Sequence, residues 1–230
     1  MKRFFNKLLL ILLCITLIFI IYIGYMKTKY SLKYISKLLE NVDFTNNIHI
    51  NKEIKNTDGN TDYNMYINNN IIKITQKTKY FDNKNENIDF DEYITKNSII
   101  TINHNSKLIS KNKFEYSDLK DYLNSWPFNG NSYFQHLTNK DNIDFKYLGK
   151  SNIDGKNCLK FSITHTDYYY VFYMEINSNL IIKIEEHLKK DHSLFSTTNY
   201  TYNLNYEKEI ENFNPDNFKD YQTIPIENNN

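Results

Sequence analysis

The chain has 230 residues, of which 40% are hydrophobic and 16% aromatic, and its 28 Lys and Arg nearly balance its 27 Asp and Glu. A chain of this length buries the core of one domain but hardly of two full ones. Nucleic acid is excluded as an expected partner, because phosphate backbones are bound by clustered basic side chains and the sequence has no basic stripe.

The first predicted element is a membrane anchor. Residues 8–26, "LLLILLCITLIFIIYIGYM", are uncharged and mostly apolar. As a helix they would span about 28 Å, close to the ~30 Å hydrocarbon core of a bilayer. The run follows a short basic tail, which favours a cytoplasmic N-terminus. The basic residues are Lys2, Arg3 and Lys7. The sequence therefore predicts a single-pass membrane anchor over residues 1–29 and an extracytoplasmic domain over residues 30–230.

A cleaved signal peptide and a lipoprotein remain open as alternatives to this anchor. A cleaved signal has a shorter apolar core and a small-residue exit, and no such small-residue pair follows the run. Lipoprotein processing needs a small residue just before the modified cysteine, whereas Cys14 follows Leu12 and Leu13. The other cysteine, Cys158, lies in the predicted outer domain. A cysteine within the bilayer cannot reach it, so no disulfide is expected.

Apolar residues next recur at three- and four-residue intervals over about 30–42, which predicts one amphipathic helix. They are Leu32, Ile35, Leu38, Leu39 and Val42. From 48 to 111 the pattern changes to short alternating runs, separated by turn-like clusters, which predict an antiparallel meander. The runs are "IHINKEI", "YNMYI", "IIKITQKTKYF", "IDFDEYI", "SIITIN" and "KLISK".

Two further helices are predicted within "YSDLKDYLNSWPFNGNSYFQHL". Ser117 is the expected cap of the first helix, and Pro127 ends it. This helix carries Leu119, Tyr122 and Leu123, and the shorter second one carries Tyr133, Phe134 and Leu137. Strands then resume in "IDFKYLG", "KNCLKFSITH", "YYYVFYMEI", "LIIKIEEHL" and "STTNYTYNLNY". The predicted fold class is α+β, with about ten or eleven strands in a curved antiparallel sheet, an incomplete β-barrel, that wraps two or three helices.

The run "YYYVFYMEI", residues 168–176, has apolar side chains on both faces of its predicted strand. A sheet with one wet face alternates apolar and polar residues instead. We expect the face that carries Tyr168, Tyr170 and Phe172 to meet the helices at 30–42 and 116–138. The opposite face is expected to be partly exposed, or to contact a ligand, a partner or a membrane surface.

The last third of the chain resembles the LolA-like superfamily, which includes lipoprotein-localisation factors and periplasmic sigma-regulatory proteins. The resemblance is carried by "FKYLGKSNIDGKNCLKF", by "YYYVFYMEINSNLIIKIEEH", and by a closing "F-x-P-x-x-F-x-x-Y" pattern. The residues of that pattern are Phe213, Pro215, Phe218 and Tyr221. The chain departs from the family at Leu180-Ile181, where relatives often carry Leu-Pro, and no position matches the carrier's lipid-gating arginine. A weaker likeness, in architecture and composition, is to germination lipoproteins of the GerS type.

The resemblance implies an incomplete barrel with a cavity between sheet and helices, which several members use for acyl chains. The expected wall of that cavity consists of Tyr168, Tyr170, Phe172, Met174, Leu119, Tyr122, Trp126 and Phe134. Plain core packing explains the aromatic strand equally well. Trp126 is also a candidate for contact with a binding partner, although a single tryptophan at a helix end more often packs in the core.

No motif points to catalysis, to a cofactor or to a metal, and the chain is not expected to be an enzyme. The segment "EEHLKKDH" could hold a divalent ion, but a solvated strand end explains it better. The acidic "DFDEY" could provide a pair of carboxylates for hydrolysis. Its charged residues alternate with apolar ones, however, which is typical of a strand with one solvent-exposed face. Cys158 lies between apolar neighbours, where a thiol packs as a small hydrophobe.

Two functions follow as leading hypotheses. The first is an anchored extracytoplasmic binding protein that takes a lipid acyl chain or an apolar peptide segment between sheet and helices. The second is a protein-interaction module, for example a partner of a cell-wall amidase as in GerS-type proteins, whose interior is filled by its own side chains. A hydrolase would need Glu186, His187 and His192 to converge in one cleft.

Overall fold

The computed structural model describes residues 2–42, 44, 47–68, 70–82, 87–125 and 127–224. Four helices lie in this part of the chain: α1 (Lys2–Lys29), α2 (Leu32–Glu40), α3 (Leu119–Ser125) and α4 (Gly130–Thr138). The first six strands are β1 (Ile48–Asn56), β2 (Gly59–Ile67), β3 (Ile71–Tyr80), β4 (Ile88–Thr95), β5 (Ser98–Asn103) and β6 (Leu108–Lys113). The other six are β7 (Asp144–Ile153), β8 (Lys156–His165), β9 (Tyr168–Glu175), β10 (Leu180–Leu188), β11 (Leu194–Asn203) and β12 (Gln222–Ile224).

All twelve strands form one open, curved sheet in the order β12-β6-β5-β4-β3-β2-β1-β11-β10-β9-β8-β7. Consecutive strands pair antiparallel within each of two meanders, β1–β6 and β7–β11, because short turns join neighbours. Strand β1 joins the two meanders by pairing with β11. The predicted α+β class and the eleven predicted strand runs are confirmed. The strand β12 was not predicted, and it pairs parallel to β6.

The inner, concave face of the sheet holds the main core and packs against α2, α3 and α4. Inward positions alternate along each strand, as at Ile48 and Ile50 of β1 or Ile72 and Ile74 of β3. The face of β9 that carries Phe172 belongs to this core, so the predicted contact between that face and the helices is confirmed.

The outer face of β8, β9 and β10 is covered by the protein's own side chains, both apolar ones and lysines. Val171 and Tyr173 of β9 are buried there, with Cys158 of β8 beside them. The ammonium groups of Lys160 and Lys183 lie 5.2 and 5.3 Å from the centre of the Tyr173 ring. Long lysine stems cover apolar surface while their charges remain in water. The expectation that this face would be exposed, or covered by a ligand or partner, is therefore wrong for Val171 and Tyr173.

The chain after β11 crosses the outer face of the first meander, and we call residues 204–224 the C-terminal segment. Its apolar residues pack against the outward side chains of β3 to β6. Those of the segment are Ile210, Phe213, Phe218 and Tyr221. Three members of the predicted "F-x-P-x-x-F-x-x-Y" pattern thus cover this face, and the segment ends by adding β12 to the edge of β6.

The two predicted helices of the insertion are confirmed, but their caps differ in detail. The carboxylate of Asp118, rather than the hydroxyl of Ser117, accepts the backbone N–H of Asp121 at 2.8 Å. The Ser117 hydroxyl instead hydrogen-bonds the Asp121 side chain. Asn129 caps α4, where its side-chain oxygen accepts the N–H of Ser132 at 2.9 Å.

Helix α1 exposes the apolar side chains described in its middle, from Ile11 at 55% to Ile18 at 66%. None of the helices in the described part of the chain meets the length and hydropathy required of a membrane span. The anchor over residues 1–29 stays a prediction from the sequence.

Candidate binding site

The residues predicted to line a cavity are packed against one another in the core. Phe134, Phe172 and Met174 have no exposed surface, and Leu119 and Tyr170 are also buried. Tyr122 and Tyr168 are partly buried against the same cluster. Trp126 lies outside the described residues. Their role in binding a ligand is untested, but the space next to Tyr170 and Phe172 is occupied.

Helix α4 fills that space with aromatic rings. The ring of Phe134 packs edge-on against Phe161 and Phe172, with centroid distances of 5.3 and 5.4 Å. Phe161 and Phe172 stack on each other at 5.5 Å. One residue earlier along α4, Tyr133 contacts Tyr170 edge-on at 6.1 Å. The inner surface of the aromatic strand is therefore core, and an occupant could enter only if α4 moved.

A cavity of about 600 Å³ lies elsewhere, among the end of α2, helix α3 and helix α4. We call it the helix cavity. Its apolar lining consists of Leu39, Val42, Phe44, Leu123, Pro127 and Phe128. Its polar lining includes Lys120 on α3 and His136 on α4, both exposed. The volume falls within the range of small-molecule sites. Polar side chains outnumber apolar ones in the lining, and Glu40 is among them.

One polar group of the helix cavity has no partner. Asn129 is almost fully buried, and its amide nitrogen forms no hydrogen bond with the described residues. Its amide oxygen is already engaged, because it caps α4 by accepting the N–H of Ser132. The nitrogen is thus a buried donor of a residue that lines the cavity. A buried donor without an acceptor is unfavourable by about 1–3 kcal/mol.

The helix cavity is held rigidly to the sheet by the start of α4. The side chain of Asn131 donates to the carbonyls of Leu39 and Asn179 and accepts the N–H of Ile181 at 2.9 Å. The hydroxyl of Tyr202 donates to the Ile181 carbonyl and accepts the N–H of Gly130. These bonds join α2, α4, β10 and β11, so the cavity wall is preformed.

The carboxylates and histidines singled out in the sequence do not converge. On β10, alternate residues lie on opposite faces, which places Glu186 on the inner face and His187 on the outer face. Glu186 accepts a hydrogen bond from Ser196 at 3.1 Å, and burial raises its pKa. His187 lies 3.8 Å from Glu185 instead. The geometry required for the hydrolase hypothesis is therefore absent at these residues.

The acidic strand β4 is divided in the same way. Asp89 and Asp91 face outward and pair with Lys77 and His104, at 3.4 and 3.3 Å. Glu92 faces inward and accepts the Thr101 hydroxyl. Each outward carboxylate has a basic partner, as expected for the wet face of a strand. No group of three or more metal-ligating side chains occurs among the residues described.

Comparison with known proteins finds no match by sequence. No protein-family model matches the chain, and no curated protein matches it. Solved structures of similar fold are found. An uncharacterised conserved protein of Thermus thermophilus has 7% identity and a TM-score of 0.47, over 84% of this chain and 97% of that one.

Two other solved structures of similar fold are a protein complex and a sorting domain. MucB, in the MucA/MucB complex of Pseudomonas aeruginosa, has 10% identity and a TM-score of 0.39, over 75% of this chain and 55% of that one. A putative outer membrane lipoprotein-sorting protein domain of Vibrio parahaemolyticus has 11% identity and a TM-score of 0.31, over 81% and 95%.

The resemblance to the LolA-like superfamily stays a prediction from the sequence. This chain spans about half of the MucB chain. The likeness to GerS-type proteins is not tested by these structures and stays a prediction.

Sequence reasoning missed the helix cavity, because its wall is completed by α2, which is far in sequence from α3 and α4. The available signal was local: Asn129 stands before Gly130 at the start of α4, in the position of a helix cap. A cap uses one end of an amide side chain and leaves the other free, and only the packing of α2 and α3 shows that the free end is buried.

Proposed function

We propose that the protein is a membrane-anchored, extracytoplasmic, non-enzymatic binding protein that takes an acyl chain or an apolar peptide segment in the helix cavity. The observation that carries this proposal is a cavity of about 600 Å³ that six apolar side chains help to line, beside Asn129, whose buried amide nitrogen has no partner among the described residues. A ligand carbonyl that entered beside Asn129 would give this donor an acceptor. The ammonium group of Lys120 and the imidazole of His136 suit a polar end of the ligand.

The expected affinity is modest. Burial of apolar surface contributes roughly 25 cal/mol per Å², so a few hundred Å² of ligand would contribute several kcal/mol before ordering costs. Because the cavity wall is preformed, little reorganisation is required of the protein. Micromolar binding follows from these terms.

The test uses lysophosphatidylglycerol with a hexadecanoyl chain, added to the full chain in a neutral detergent and detected by native mass spectrometry. The wild type is expected to carry one lipid. Gln135→Trp places a large ring into the helix cavity from a half-buried position on α4 and is expected to abolish the adduct. Lys140→Trp adds the same ring at an exposed position just after α4 and should leave the adduct intact. A lipid retained equally by all three proteins would refute the helix cavity as the site.

The anchoring part of the proposal is supported by the exposed apolar surface of α1, on which Leu13 and Ile18 are each more than 60% exposed. An arginine in the middle of a spanning helix is unfavourable by about 3 kcal/mol. The double variant Leu13→Arg/Ile18→Arg is therefore expected to leave the membrane fraction after carbonate extraction, whereas the wild type stays. Extraction of the wild type itself would reject the anchor.

The second candidate is a protein-interaction module, such as one that controls a cell-wall amidase. It is favoured by the filled interior, because Phe134 and Phe161 occupy the space expected for cargo. An exposed edge strand, β7, would be the docking element, and Leu148 at its bulge is 42% exposed. Leu148→Asp should then remove a specific envelope partner that survives delipidation, while Lys150→Asp, two residues along the same strand, should retain it. Equal capture by both variants would remove β7 from this role.

A further inference from the structure

A charged residue occupies an inward position in the middle of the sheet. Ile48 and Ile50 of β1 face the core, and by alternation the next side chain on the same face is that of Lys52. Lys52 is half-buried, and β1 is the strand that joins the two meanders. The alternation that predicts the strand would favour an apolar residue there.

Two tyrosines flank this lysine from the neighbouring strands. Tyr63 of β2 and Tyr200 of β11 are its direct cross-strand partners. The ammonium lies 5.2 Å from the centre of the Tyr63 ring and 5.9 Å from that of Tyr200. Such contacts stabilise a desolvated cation, although they do not neutralise it.

The ammonium of Lys52 has no carboxylate within ion-pair distance among the described residues, and no hydrogen bond to them. The contrast with other lysines is clear: Lys55 on the same strand lies 2.9 Å from Glu53, and Lys183 lies 2.7 Å from Glu185. The hydroxyls of Tyr63 and Tyr200 likewise form no hydrogen bond within the described part of the chain. Three donors on one concave surface are thus without acceptors.

We propose that Lys52, with Tyr63 and Tyr200, forms a binding site for a carboxylate carried on an apolar or aromatic body. A single ammonium, with no arginine beside it, matches one negative charge, so a carboxylate fits better than a doubly charged phosphate. The two tyrosine rings beside the ammonium suit an apolar or aromatic body. This site lies on the inner face of the sheet, and it is independent of the helix cavity.

The charge state of the site follows from the groups that face Lys52. Burial lowers the pKa of Lys52 to about 8. Burial raises the pKa of Tyr63 and that of Tyr200, and it raises the pKa of Tyr133, which faces Tyr200 from α4, to about 12. These phenols are neutral near pH 7, so the ammonium is the charge that a ligand would meet. Binding of a carboxylate is therefore expected to weaken as the pH rises above 8.

The experiment measures binding to the full chain in a neutral detergent by isothermal titration calorimetry. The probes are 4-phenylbutyrate and its amide, 4-phenylbutyramide, which share one body and differ in charge. We expect the carboxylate to bind at least tenfold more tightly than the amide at pH 7. We expect this preference to disappear in Lys52→Met and to persist in Lys55→Met, which removes an exposed lysine of the same strand.

Two further probes distinguish the sources of such a carboxylate. Hexanoate represents a fatty acid, and N-acetylphenylalanine represents the carboxyl end of a peptide. The probe that binds more tightly identifies the source of the carboxylate. Equal binding of the two probes would show that the site accepts carboxylates of either source. The proposal is overturned if the amide binds as well as the acid, if Lys52→Met binds the acid as the wild type does, or if no carboxylate binds. Gln135→Trp, which fills the helix cavity, should leave this binding unchanged, so the two sites can fail separately.

Discussion

At the scale of single residues, the structure gives lysines on one sheet two different environments. Lys160 and Lys183 lie on the outer face, where their stems cover Tyr173 and Lys183 pairs with Glu185. Lys52 lies on the inner face, between two rings, and no carboxylate of the described residues pairs with it. The first arrangement stabilises the fold, because it buries apolar surface and leaves the charges in water. The second keeps a desolvated charge, which is unfavourable for folding and useful for recognition.

This difference predicts how stability depends on pH. The folded-state pKa of Lys52 is about 8, below the ordinary value of 10.5. Below pH 8 both the folded and the unfolded chain bind this proton, and the burial penalty is present in full. Between pH 8 and 10.5 a larger fraction of unfolded chains than of folded chains carries this proton. The free energy of unfolding therefore rises with pH in this range.

The variant Lys52→Met isolates this effect. It should be more stable than the wild type at pH 7, by about 2 kcal/mol, because it removes the unpaired charge. The advantage should shrink towards zero as the pH approaches 10.5. Urea unfolding of both proteins at a series of pH values measures it, with Lys55→Met as the exposed control. A difference that does not vary with pH would show that the Lys52 ammonium is not destabilised by burial.

At the scale of elements, α4 is attached to the sheet by its first turn. Asn131 is buried and makes hydrogen bonds to Leu39, Asn179 and Ile181. Gly130 leaves no room for a side chain, since a Cβ there would lie 2.7 Å from the carbonyl oxygen of Ile181. The helix is held in a single position in two ways. Its first turn makes close contacts and buried hydrogen bonds with the sheet, and the ring of Phe134 packs in the core.

Asn131→Ala should therefore loosen α4 as well as destabilise the protein. It leaves the N–H of Ile181 and the carbonyl of Leu39 buried without their partner, which is unfavourable by about 3 kcal/mol. The midpoint of urea unfolding should fall accordingly. Asn70→Ala, at an exposed turn between β2 and β3, is the control and should change stability by less than about 0.5 kcal/mol. Equal effects of the two substitutions would contradict the role of Asn131.

At the scale of the whole molecule, the outer face of the open sheet is covered in two ways. Apolar side chains and lysines cover β8 to β10, whereas the C-terminal segment covers β3 to β6. The segment is held by stacked rings, with Phe213 and Phe218 centred 5.7 Å apart, and by Tyr221, whose hydroxyl lies 3.0 Å from a ring nitrogen of His104. Its last strand, β12, is short and exposed, so we expect it to open more readily than the central strands.

Phe218→Ser should release the C-terminal segment locally. Hydrogen exchange at the N–H of Gln222, which bonds the carbonyl of Lys107 at 2.9 Å, should accelerate, while exchange in β8 to β10 stays unchanged. Phe81→Ser is the matched control, because Phe81 is 57% exposed and outside this cluster. Faster exchange throughout the sheet would mean instead that the segment is part of the main cooperative unit.

Local patterns were sufficient to predict the elements themselves. Alternation of apolar residues predicts eleven of the twelve strands, and three- and four-residue spacing predicts α2, because both signals come from residues close in sequence. Strand β12 was missed because three residues carry too little alternation, and its partner β6 is far away in the chain. The cap at Asp118 was missed because Ser117 is an equally good capping residue by type.

The sequence by itself determined the fold class and the two apolar faces of β9. Only the tertiary structure decided what covers them: Phe134 and Tyr133 of α4 on the inner face, and Lys160 and Lys183 on the outer face. It also placed the cavity beside Asn129, away from Tyr170 and Phe172. The reason is physical. Periodicity states which way a side chain points, whereas the room left beside it depends on how closely distant helices and strands pack.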